Sequence, residues 1–393
     1  MTRGTILIIG GGLGGTAAAL GLARRGFTVR IFEQSAALKE VGAGLTVSQG
    51  AMRCLHALGV GEAVRGASER AAKLALLHYQ NAGLMAGAID DGTEPDDPAG
   101  WTTRHMLRAD LHAILIDAVR ALDPDSFVLD HIFVRAEDRG DAVTAFFANG
   151  AVAQGDMLIG CDGLKSAVRA QLFGTRTPRF TGQVTWRCLL PIAAARPFLG
   201  AGRSAIFIGP RRFFNRYTVR RGTLVNCVAT AKTGVWSEEG WSVPSTVAEF
   251  RQQFDGWHPD VTGLIEHAPP DQIFKWALFE REPLSGWTKG NITLLGDAAH
   301  PMLPFLGLGA ALAIEDAVIL SMALGEHNDP TALLRYEQAR IGRTTHIFGE
   351  ARRQGESYQG DDPKDYLRSN PPAANRALFD YDPDGSLGAL KTS

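Results

Sequence analysis

A doubly wound α/β sheet interrupted by an antiparallel sheet is the fold that this 393-residue sequence predicts. Three observations carry that expectation. A short apolar run, Ile6–Ile9, leads into GGGLGG at Gly10–Gly15 and a helix-like segment ending at Arg25, and Val29–Glu33 then reads as a second strand. Between Phe180 and Ala231 the texture changes to alternation (TWRCLLPI, SAIFIG, FFNRYTVR, TLVNCVAT), the mark of half-buried antiparallel strands. The first texture returns in ITLLGD, Ile292–Asp297, so the second sheet is inserted into the first domain.

The remaining elements fit between these. MLIG, Met157–Gly160, is another buried strand, and Ala109–Leu122 carries apolar residues at helical spacing. Leu74–Ile89 has the texture of the inserted sheet. Residues 1–73, 101–175 and 276–330 are therefore assigned to a Rossmann-like domain. Residues 74–100 and 176–275 belong to the antiparallel sheet, and 331–393 to a helical C-terminal segment with a polar tail.

Composition narrows the function. Hydrophobic residues at 45% and charged ones at 21% are those of an ordinary globular protein. The net charge of −2, with no basic stripe, argues against a nucleic-acid partner. Cys54, Cys161, Cys188 and Cys227 are far apart, with neither metal spacing nor a disulfide framework, which points to a reducing, cytoplasmic setting. Thr5–Ala23 carries no charge, but five glycines within Gly10–Gly15 would break a membrane-spanning helix.

Two motifs carry chemistry. GGGLGG supplies Gly10-x-Gly12-x-x-Gly15. Bare backbone at Gly10, Gly12, Gly14 and Gly15, with the N–H of Leu13, would let a pyrophosphate approach a helix N-terminus. Glu33, eighteen residues after Gly15, would accept hydrogen bonds from ribose hydroxyls. This pattern alone leaves FAD and NAD open. The second motif is GDAAHPMLPFLGLGAALAIEDA, Gly296–Ala317. Pro301 and Pro304 forbid a helix in its first half, Gly307 and Gly309 permit tight backbone, and a buried helix begins near Ala310. In a doubly wound sheet ligands lie outside the carboxyl ends of the strands, so both motifs would face one crevice. Asp297 would hold a polyol chain there, while the N–H groups of Gly309 and Ala310 face an isoalloxazine ring. A helix N-terminus would stabilise the anionic edge of a reduced flavin by about 0.3–1 kcal/mol, which favours flavin over nicotinamide.

With these motifs stand RADLHAIL (Arg108–Leu115), DMLIGCDGLKSAVR (Asp156–Arg169), GQVTWR (Gly182–Arg187), WALFEREPLSGW (Trp276–Trp287) and LFDYDPDG (Leu378–Gly385). In this order they resemble the single-component FAD-dependent aromatic hydroxylases, nearest the group of salicylate hydroxylase, 3-hydroxybenzoate 6-hydroxylase and 6-hydroxynicotinate 3-monooxygenase. The resemblance implies bound FAD, transient NAD(P)H and O₂, with a flavin hydroperoxide passing OH to the ring of a carboxylated phenol or hydroxypyridine. It implies that Arg108 reaches the ribityl or phosphate groups and that Asp162 serves the pyrophosphate side; Gln34 and Gly44 join this cofactor set. On the substrate side it implies Arg216 or Tyr217, of which alternation lets only one face the site. Thr46, Pro301 and Leu308 would line the pocket, Leu308 standing where the family usually has glutamine. His300 is read as structural. No second GxGxxG unit is present to hold a nicotinamide cofactor permanently. A monomer or homodimer without metal or membrane contact is expected, and a reductase on the same scaffold is the alternative.

Overall fold

The computed structural model describes residues 3–38, 43–89, 101–200, 202–234, 236, 243–369, 376–383 and 385. Residues 90–100, assigned above to the inserted sheet, and most of the tail beyond 383 lie outside the described residues. In chain order the elements that build the site are β1 (Thr5–Ile9), α1 (Leu13–Ala23), β2 (Thr28–Phe32), β3 (Gly44–Val47), β4 (Arg104–Leu107) and α2 (Arg108–Leu122). There follow β5 (Met157–Gly160), α3 (Ala167–Phe173), β6 (Arg179–Pro191), β7 (Ser204–Gly209), β8 (Arg212–Val219) and β9 (Leu224–Lys232). The series closes with β10 (Phe274–Glu280), β11 (Ile292–Leu294), α4 (Gly309–Glu326) and α5 (Thr331–Ser357).

The first sheet runs Thr288–Lys289, β11, β5, β1, β2, Phe127–Val128. All its pairs are parallel except Thr288–Lys289 against β11. Ile6, Leu7 and Ile8 are fully buried, as a central parallel strand covered on both faces requires. Small residues let α1 and α4 lie close together. A Cβ on Gly21 would stand 2.7 Å from Ser321 Oγ, and one on Gly14 would stand 3.3 Å from the Ala313 Cβ.

The second sheet has eight strands, in the order Val243–Pro244, β10, β6, β9, β8, β7, Ala75–His78, Leu84–Gly87. Leu74–Ile89 thus contributes to it, but Ala75–His78 joins β7 in parallel, so the sheet is mixed rather than wholly antiparallel. The reason is connectivity: Ala75–His78 enters from the first domain, not through a hairpin. One face, with Trp186, Phe207, Phe214 and Cys227, forms a core with Phe250, Phe254 and Leu264 from two covering helices, Val247–Gln253 and Pro259–Glu266. The opposite face meets β3 and β4. A third, three-stranded sheet (Phe133–Asp138, Val143–Phe147, Val152–Gly155) was not anticipated by the sequence patterns.

An ion network centred on Arg340, Glu315 and Asp316, which have no solvent contact, joins α4 to α5. Arg340 Nε donates to Asp316 Oδ1 at 2.7 Å and Nη2 to Glu315 Oε2 at 2.8 Å, while Arg343 also binds Glu315. The other Asp316 oxygen accepts from the Gly296 N–H at 3.1 Å and lies 2.5 Å from His300 Nε2. Burial alone would push the Asp316 carboxyl up, but the charges and hydrogen bonds of His300 and Arg340 more than offset it and hold it at about 2. Among the described residues no helix is long and apolar enough to cross a membrane.

Candidate cofactor and substrate site

The helices α1 and α4 both begin at the carboxyl edge of the first sheet, and neither has a side-chain cap. Gly10 takes φ +106, and a Cβ on it would stand 2.4 Å from the Cys161 carbonyl oxygen. A Cβ on Gly15 would stand 2.1 Å from the Gly10 oxygen, and one on Gly14 would meet Leu295 at 2.8 Å. Three of the motif glycines therefore serve close packing within the protein. Gly12 is different: a Cβ there would meet only Arg108 Nη2, at 3.8 Å, so its outer side is open. Leu13 buries its side chain in the core, leaving its backbone N–H as the group that can serve a ligand.

The loop is held rigidly. The Gly11 N–H donates to Glu33 Oε2 at 2.8 Å, and the Ser35 N–H donates to Oε1 at 2.9 Å. His112 Nε2 lies 2.6 Å from the Gly11 oxygen, which the Thr16 hydroxyl also bonds at 2.9 Å. Since a carbonyl only accepts, His112 carries its proton on Nε2. Gln34 is exposed on the bend after Glu33.

Asp297 follows β11 in a short 3-10 turn. It is exposed to the cleft yet closely surrounded by protein, and burial raises its carboxyl above the usual range against the pull of His300, Arg108 and Arg169. Arg108 thus stands between Gly12 and Asp297. Arg169 ties the two loops together, donating to the Asp297 oxygen at 3.2 Å, to the Ala298 oxygen at 3.0 Å and to the Leu164 oxygen at 2.5 Å. Asp162 caps α3 through the N–H groups of Ala167 and Val168, at 2.7 and 3.1 Å. Its Oδ1 is buried without a partner among the described residues. Uncapped N–H groups, an open glycine and a guanidinium as donors, with flanking acids as acceptors, are the set that a dinucleotide with a polyol chain needs. The residues present fit FAD.

At α4 the chain turns through Gly307 at φ +66, and Gly309 has nothing within 4 Å of a would-be Cβ. Thr46 lies 3.9 Å from the Cβ position of Gly307, so it borders this N-terminus. Leu308 does not: it is 1% exposed and joins the main core, because an apolar side chain at the helix start turns inward. The expectation that it contacts substrate is corrected. Pro301 is likewise buried, beside His300 and Trp287 and facing α5 residues Thr344 and Phe348.

Strand alternation separates Arg216 from Tyr217. Arg216 is fully buried on the helix-covered face, opposite Cys227 on β9 and within the field of Asp260, and its Nη1 donates to the Gly202 oxygen at 2.5 Å. It cannot anchor a substrate on the other face, which corrects that expectation. Tyr217 faces the first domain, its ring 4.2 Å from that of His105. His105, on β4, is the cross-strand partner of Thr46. Gly44 belongs to this contact as well. Its N–H donates to Asn226 Oδ1 at 2.9 Å, so that donor is spent on joining the domains rather than on the cofactor. Reasoning from sequence missed His105, His112, Arg169 and Asn226, none of which stands in a local pattern that marks it.

Burial pushes His105 down to about 4. Between its ordinary value near 6.5 and pH 4, the unfolded chain binds a proton that the folded protein refuses. Stability from this residue is therefore complete above pH 6.5 and falls with pH towards 4. Urea unfolding of the wild type should lose on the order of 2 kcal/mol more than His105→Phe between pH 7.5 and 5. Equal losses would show that His105 is solvated.

These features define a flavoprotein with a dinucleotide cradle roofed by a second sheet. A family profile described as FAD binding domain matches residues 3–350. The chain is 33% identical over 386 residues to 3-amino-4-hydroxybenzoate 2-monooxygenase of Streptomyces platensis, covering 96% of this chain and 95% of that one. It is 33% identical over 368 residues to 3-hydroxybenzoate 6-hydroxylase of Polaromonas naphthalenivorans, covering 93% and 90%. A salicylate hydroxylase substrate complex superposes with a TM-score of 0.81 at 25% identity, covering 98% and 97%. The chain belongs to the family of FAD-dependent aromatic hydroxylases.

Proposed function

We propose that this enzyme places one oxygen atom of O₂ on the ring of a small phenolic or hydroxypyridine acid, with FAD resident and NAD(P)H visiting. The observation that carries the reading is the pair of uncapped helix N-termini, α1 and α4, opening side by side on one sheet edge beneath the His105–Tyr217 face. Bound FAD supplies acceptance of hydride and activation of O₂. Gly12, Leu13, Gly14 and Arg108 hold its pyrophosphate, Glu33 its ribose and Asp297 its ribityl chain, with Asp162 behind. Gly309 and Ala310 direct N–H groups at the ring.

Thr46 and Tyr217 border the substrate, and His105, kept neutral by burial, accepts a hydrogen bond from the phenolic hydroxyl and so makes the ring more nucleophilic. The second sheet excludes water. Relatives named for hydroxybenzoates support a carboxylated substrate, and their names favour oxygen insertion over the reductase alternative. The domain limits given above are part of this reading, as are a monomer or homodimer and a cytoplasmic setting, which the unpaired cysteines support.

The test is a panel of hydroxybenzoates and hydroxypyridines scored for stimulated NADH and NADPH oxidation under isotopically labelled O₂. Label is expected in a ring hydroxyl of the product. Consumption without label, or a colourless protein, would overturn the reading.

A further inference from the structure

The corrected position of Arg216 leaves the substrate's carboxylate without an assigned partner, and a different side chain on the correct face is built for it. Asn226, on β9 opposite Tyr217, is 1% exposed. Its Oδ1 accepts the Gly44 N–H at 2.9 Å, which fixes which end of the amide is oxygen. The Nδ2 group is thereby placed on the other side, buried and without a hydrogen-bond partner among the described residues. A buried N–H₂ left unpaired is costly, and such groups nearly always find an acceptor. The Tyr217 hydroxyl is beside it, since a Cβ on Gly44 would stand 2.8 Å from the Asn226 Cβ and 2.9 Å from that hydroxyl.

The order of groups along β3 sets a direction. Gly44 and Thr46 share one face of that strand and lie about 7 Å apart. Thr46 borders Gly307, where α4 begins, and Gly44 touches Asn226 and Tyr217. From the flavin end outward the sequence is Gly307, Thr46, the His105–Tyr217 pair, and Asn226.

Resting on the function proposed above, we infer that the Asn226 side-chain amide binds the carboxylate of the aromatic acid and so determines substrate specificity. An amide nitrogen only donates, and a carboxylate only accepts. The ring lies along Tyr217 with its reacting carbon towards α4 and its carboxylate towards Nδ2 and the Tyr217 hydroxyl. A neutral donor pair recognises the acid without the cost of burying a second full charge.

Asn226→Asp tests this. It keeps the shape and still accepts the Gly44 N–H, but it replaces the donor with a negative charge. Dissociation constants for 3-hydroxybenzoate, 4-hydroxybenzoate and phenol would be read from perturbation of the flavin absorbance, after flavin content and melting temperature establish that the variant is folded. Hydroxybenzoate affinity is expected to fall by about 30-fold or more, and phenol affinity by less than about 3-fold. Asn226→Ala, which removes the donor without adding charge, gives the parallel reading if the aspartate variant loses flavin: a selective loss of hydroxybenzoate affinity is expected. In either variant, equal losses for acid and phenol would overturn the assignment. So would unchanged hydroxybenzoate affinity, which would leave a water molecule as the partner of Nδ2. Failure of the wild type to bind any hydroxybenzoate would instead overturn the aromatic-acid reading itself, and the inference with it.

Discussion

Replacing Arg340 by methionine is expected to destabilise the protein by about 3–5 kcal/mol, the largest loss foreseen from a single side chain away from the cleft. Arg340 has no solvent contact and bridges Glu315 and Asp316, which are equally buried. Burial lowers the guanidinium's proton affinity, but the two carboxylates more than offset this and raise it well above the ordinary value. Methionine replaces the aliphatic stem of the side chain but not its guanidinium, and leaves two acids short of a cation. Arg343 still serves Glu315 and His300 still serves Asp316, so the fold should survive in weakened form. Because Asp316 also holds the Gly296 N–H, next to Asp297, flavin retention should drop with stability. Urea unfolding of apo and flavin-loaded protein measures both. A loss below about 1 kcal/mol would show that the network is compensated by packing.

Gly12→Asp should have the opposite profile, with cofactor binding lost and the fold intact. Gly12 has φ −71 and ψ −174, a backbone open to any residue, and room for a Cβ. As the residue preceding α1 it would gain a capping carboxylate, so apoprotein stability should change by less than about 1 kcal/mol. That carboxylate would sit where the pyrophosphate is bound, taking the same N–H groups and repelling its charge. FAD affinity should fall by about 100-fold or more, read by flavin fluorescence on titration of the apoprotein. Flavin retained at wild-type affinity would place the pyrophosphate elsewhere. Gly15→Ala is the contrasting case. Its Cβ would lie 2.1 Å from the Gly10 oxygen, so it should damage the fold before any question of binding arises.

The contrast between these glycines shows where sequence reading stops. GxGxxG with Glu33 in register pointed to a dinucleotide cradle, yet nothing in the motif distinguishes Gly12, whose outer side is open, from Gly10 and Gly15, closed by backbone. The distinction depends on Cys161 and the Gly10 carbonyl approaching from β5 and β1. Asp162 is similar. The Asp-Gly turn was legible, but its use as the cap of α3 depends on where Ala167 and Val168 lie.

By itself the sequence determined the class of fold and many of its elements, though not the sheet of Phe133–Asp138, Val143–Phe147 and Val152–Gly155. Met157–Gly160 and Ser204–Gly209 form strands with the limits their apolar runs suggested, and the glycine-rich turn, the acid at the end of β2 and the Asp297 loop lie on one sheet edge. These are consequences of local periodicity and of the carboxyl-edge rule for doubly wound sheets. Only the tertiary structure decided which side chains meet. Alternation stated that Arg216 and Tyr217 face opposite ways but not which way. The answer came from helix Pro259–Glu266 covering one face and β4 the other. His105 meets Tyr217 across more than a hundred residues of chain, and Asn226 meets Gly44 across 182. Such pairs leave no local pattern, because burial and donor–acceptor matching act between neighbours in space.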